Sequence, residues 1–134
     1  MISHDRLAGD MHEALAELTQ LFTDLPGMLA QEEAAIRVRD IKEVERVCKI
    51  KQAVGQRIDQ TFGTLKRSAA SLAGAPMGSV TMSRLLDLID ERFTGKQELA
   101  NGLRDQVNGL RALLVAAEGH VSRNEIIVRR LLES

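Results

Sequence analysis

AQEEAAIRVRDIKEVERVCKIKQAV, residues 30–54, holds the point on which the fold turns. One helical seam ends at Ile36, another begins at Ile41, and Arg39 and Asp40 stand between them. Reading backwards, Leu29, Leu25, Phe22, Leu18, Leu15 and Met11 recur in steps of three and four, and the one gap falls on Glu32. Reading forwards, the second seam runs through Ile41, Val44, Val47, Val54, Ile58, Leu65, Ala69 and Leu72. A mean spacing near 3.5 is that of a coiled-coil seam. The short turn makes the two helices antiparallel neighbours. Asp40 is placed to cap the second helix, with Glu43 three residues on to complete a capping box. Pro26 interrupts the first run and predicts a kink, at up to about 3 kcal/mol unless packing compensates.

The spacing predicts helices over about 5–38 and 41–72, then a loop at 73–79, where Gly74, Pro76 and Gly78 fall together. Ser79 or Thr81 can cap a third helix over about 80–132. Its seam is Leu86, Ile89, Phe93, Lys96, Ala100, Leu103, Val107, Leu110, Leu114, Ala117, Val121, Asn124, Val128 and Leu131. Unbroken, that helix is about 80 Å long, with Gly119 as the expected place of any break. Nothing alternates with the period of a strand. The expected fold is therefore all-α: a single domain, an antiparallel hairpin plus a long third helix, in an elongated coiled-coil-like bundle.

Composition narrows the function. The 134 residues carry a formal charge of -1, with no basic patch to hold nucleic acid or an anionic membrane. Three Phe, no Tyr and no Trp suit a thin seam better than a thick enzyme core. A single cysteine, Cys48, fits a reducing compartment, and no apolar run approaches a membrane span. The expected location is cytoplasmic.

Sites for chemistry are sparse. His4, His12 and His120 lack the Glu-x-x-His spacing of di-iron bundles, and no phosphate loop or Cys-x-x-Cys occurs. No cofactor or metal is expected. His12 as a phospho-acceptor and Cys48 as an activated thiol yield to a solvated histidine and a structural thiol. Glu32 and Glu33 point about 100° apart on a helix, so they cannot converge on one atom as acid and base. The hairpin register instead brings Lys51 within one turn of both, as a register-fixing ion pair. Gly95, Gly102 and Gly109 recur every seven residues along one flank. Each costs roughly 1 kcal/mol of helix propensity, which close approach by a helix, of this chain or a partner, would recover. In VSRNEIIVRRLL, residues 121–132, Ile126, Ile127 and Leu132 broaden the apolar stripe beyond what one helix covers and mark a docking surface.

Four features together resemble the FlgN family of flagellar export chaperones. They are the glutamate-containing stretch LAQEEAAIRVRDIKEVERV, the lysine within CKIKQAVGQRI, the Gly-containing loop, and the Asn within SRNEIIVRRLL. The resemblance implies a chaperone that holds hook–filament junction proteins of FlgK and FlgL type and delivers them to the type III export gate. It implies partner binding at Val121, Asn124, Ile127, Val128 and Leu131, and the surplus apolar Leu132 extends that expected surface. Lacking tyrosine, the chain cannot dock at the gate through an aromatic hydroxyl. The competing expectation from the residues alone is a homo-oligomeric structural coiled coil, with a homodimer as its simplest form.

Overall fold

The computed structural model describes residues 3–118. They form α1 (His4–Arg37), α2 (Ile41–Ala73), a short 3-10 turn (Met77–Ser79), α3 (Met82–Arg92) and α4 (Gln97–Glu118), with no strand among them. The architecture is all-α, and α1 and α2 form an antiparallel hairpin.

Each end of the hairpin helices has a local cause. The Ser3 hydroxyl accepts a hydrogen bond from the Arg6 amide at the start of α1. At its end Asp40 N donates to Ala35 O and Arg39 N to Ile36 O, the double closure of a Schellman turn. That turn needs a left-handed residue, and here Arg39 supplies it at φ 58° where glycine is usual. Asp40 then caps α2 by accepting from Glu43 N at 3.2 Å. The reciprocal half of the capping box is absent, because the Glu43 carboxylate binds Arg46 instead. Gly74, at φ 64°, closes α2 in the same left-handed way. α1 continues through Pro26.

The expected long third helix is broken, and well before Gly119. α3 stops at Arg92, Phe93 is buried, and α4 begins again at Gln97. Thr94 donates its hydroxyl to the carbonyls of Asp90 and Glu91, closing the last turn of α3. Lys96 N donates to Phe93 O across the corner. The three-and-four spacing runs unbroken through Phe93 and Lys96, so periodicity gave no warning. The chain breaks because a third helix of about 80 Å would overrun a hairpin of about 50 Å. Folding at Thr94–Gly95, both weak helix formers, returns its apolar face to the bundle.

α4 lies on α1, and α3 packs against α2 and α4. Arg104 pairs with Asp90 between the two. The core gathers Leu15, Leu18, Leu65, Leu85, Leu88, Leu103, Val107 and Leu110, all fully buried. It occupies the half of the hairpin near the start of α1, where α3 and α4 add to it. The other half, toward the turn, has only α1 and α2 among the described residues.

Candidate interaction surfaces

The sequence-predicted site residues scatter. Lys51 Nζ lies 2.7 Å from Glu32 Oε2, with side chains only 8% and 10% exposed. Cys48 Sγ, half-buried, sits 3.5 Å from the same carboxylate oxygen. The group fills the gap in the first seam, between Ala35 and Val47, which are buried. Glu33 does not join it. One residue on, it faces solvent and pairs with Arg37 at 2.6 Å along its own helix.

The glycine flank is open. Gly95 lies in the α3–α4 corner rather than inside a helix, and Gly102 and Gly109 face solvent on α4. A Cβ built at any of the three meets no atom within 4 Å. No helix among the described residues approaches them. Val121, Asn124, Ile127, Val128, Leu131 and Leu132 lie outside the described residues.

α4 is fixed to α1 by polar contacts that periodicity does not reveal. Lys96 pairs with Asp5, and His12 Nδ1 shares a 2.9 Å hydrogen bond with Gln106 Oε1. Gln106 Nε2 also donates to the His12 carbonyl at 3.2 Å. His12 is thus a clamp between two helices. The spacing of Lys96 within the seam suggested burial, but its reach to Asp5 places it at the surface.

Recesses also lie among the described residues. A polar one, about 210 Å³, lies between α1 and α2 and is lined by Asp10, Glu13, Glu17, Arg57 and Thr61 among others. Two hydrogen bonds from Arg57 hold the Glu17 carboxyl below its ordinary value. The second, about 300 Å³, is formed by Pro26, Leu29, Ala30 and Glu33 on α1. Beyond it the hairpin turn carries Ile36, Val38 and Ile41 at 51, 74 and 71% exposure. The sequence placed Ile36 and Ile41 on buried seams. With Val38 and the turn between them, they stand where the antiparallel arms meet no further helix among the described residues.

Among the described residues, no three His, Cys, Asp or Glu side chains group so as to hold a metal ion, and no helix is long and apolar enough to cross a membrane. What the geometry offers is uncovered apolar surface on a helical frame, suited to contact with another helix. No curated protein and no solved structure matches the chain. The family model described as FlgN protein matches residues 1–134, its whole length. The chain belongs to the FlgN family, the flagellar export chaperones.

Proposed function

We propose that this protein holds hook–filament junction proteins of FlgK and FlgL type unassembled in the cytoplasm and brings them to the type III export apparatus. The family match over residues 1–134 carries this reading. The physical chemistry agrees with it. Such a task needs apolar helix surface and reversible contact, with no bond made or broken. The client-binding surface is assigned to Val121, Asn124, Ile127, Val128, Leu131 and Leu132, where the apolar stripe of the sequence is widest.

The test is a binding assay with purified junction protein and the double variant Ile127→Asp/Val128→Asp. Two buried charges in an apolar contact cost several kcal/mol, so binding falls at least about a hundredfold while helicity is kept. Unchanged binding by a folded variant removes the assignment. A second reading, self-association through the hairpin turn, draws on the exposed Ile36, Val38 and Ile41. It requires a stable dimer by sedimentation at micromolar concentration that added client does not dissociate.

A further inference from the structure

Threonines inside these helices share a habit that Thr61 breaks. Thr19, Thr23 and Thr64 each donate the hydroxyl to the carbonyl four residues back. Thr61 is buried, at 4% exposure, and its hydroxyl has no hydrogen-bond partner. A buried hydroxyl in that state is costly to the fold. Thr61 lines the polar recess between α1 and α2. The hairpin register sets Asp10, Glu13 and Glu17 on the α1 wall, across from Arg57, Thr61 and Thr64 on α2. Each set advances in steps of three and four, along one helix face.

Charge in the recess is equally unbalanced. Arg57 is committed to Glu17, its Nη2 donating to Oε2 at 2.8 Å. Asp10 and Glu13 form no ion pair among the described residues. They stand three apart on one helix, where like charges repel. The carboxylates of the recess do not group so as to hold a metal ion. At about 210 Å³ the recess has room for a side-chain head group, against about 30 Å³ for one water in the liquid.

We propose that this recess binds a guanidinium group. The planar head carries one positive charge and five N–H donors in a fixed fork. It can bridge Asp10 and Glu13 on α1 and reach the unpartnered Thr61 oxygen on α2. An ammonium group presents three donors from a single point and spans the groove less well. Two sources offer this head group: an arginine side chain of a partner protein, or a small free guanidine.

Titration of the isotopically labelled full chain with N-acetyl-argininamide, followed by NMR, tests the site without any client. The amides of Asp10, Glu13, Thr61 and Thr64 are expected to shift together and saturate, with a dissociation constant on the order of 1–10 mM. Asp10→Asn/Glu13→Gln weakens that binding at least about tenfold, through loss of charge-assisted hydrogen bonds. Thr61→Val separates ligand contact from packing. It is expected to raise the urea midpoint of the free protein, because an unpartnered hydroxyl is removed, and to weaken guanidinium binding about threefold or more. No saturation by about 100 mM overturns the site, as does an equal response to N-acetyl-glutaminamide or to sodium chloride. Equal affinity in the double variant also overturns it, and unchanged binding by Thr61→Val removes Thr61 from it. A separate arm, which rests on the proposed function, reads the source. If Asp10→Asn/Glu13→Gln weakens junction-protein binding about tenfold, the guanidinium is a partner's arginine. Unchanged junction-protein binding assigns the site to a free guanidine. No junction-protein binding by the unaltered chain counts against the client reading alone, because the titration is read without client.

Discussion

Arg39 holds the left-handed position that ends α1, with its side chain exposed. An L-residue there costs about 1–2 kcal/mol, whereas glycine surrenders about 0.5–1 kcal/mol of extra chain freedom. Arg39→Gly is therefore expected to stabilise the protein by roughly 0.5–1 kcal/mol, seen as a higher urea midpoint at unchanged slope. The buried pair behaves differently. Lys51→Met alone removes the cation 2.7 Å from the buried Glu32 carboxylate and is expected to destabilise the protein. Glu32→Leu with Lys51→Met removes both charges and is close to neutral. A double variant as unstable as the single one would mean that the pair supplies stability and not just register. At Glu17 the sign runs with pH. Its folded carboxyl is held below the ordinary 4.5 by Arg57, so its contribution is present above that pH and lost as pH falls through the folded value. The side chain is about one-third exposed, which limits the effect to a few tenths of a kcal/mol. Glu17→Gln should lower the urea midpoint slightly at pH 7 and not at pH 3.

Gly102 and Gly109 carry the main prediction at the scale of the element. Both lie inside α4 with open space where a Cβ would go. Gly102→Ala/Gly109→Ala is expected to raise stability by roughly 1–2 kcal/mol. If a client helix approaches along this flank, the same variant weakens client binding, and calorimetry reads both effects. On the facing side, Leu110→Ala opens a cavity between α4 and α1 and costs about 2–5 kcal/mol, seen as a lower melting temperature. The elements also divide by how far their sequence reveals them. The hairpin was legible, because its two seams and the Arg39–Asp40 interruption are local signals. The seam of α4, from Ala100 to Ala117, was legible for the same reason. The corner at Phe93 was not, since its spacing fits the repeat and the cause of the break is the length of the hairpin it must fit. In α3, burial of Leu85 and Leu88 in place of the expected Leu86 follows from the corner, because a short helix is free to turn its face. Of the expected surfaces, the Glu32–Lys51 contact followed from hairpin register. The recess at Pro26 and Leu29 did not, because the spacing of α1 alone does not show which of its apolar residues other helices cover.

The molecule as a whole is uneven. Near the start of α1 the hairpin is joined by α3 and α4 around the core, while toward its turn two helices stand by themselves among the described residues. Local opening tracks buried apolar contact, so amides of residues 5–22 and 58–72 should exchange with solvent more slowly than those of residues 40–50. Equal protection of the two sets of residues would contradict this division. The charge balance and the lack of a thick aromatic core fit a protein that works by contact along its length. The most direct measurement is a pull-down from native cytosol with the tagged full-length chain and with a version truncated after Gly119. The account predicts that the full chain alone recovers hook–filament junction proteins. Equal recovery by the truncated chain would contradict the assignment to the C-terminal segment, and recovery of the chain's own copies only would contradict the chaperone reading for this protein.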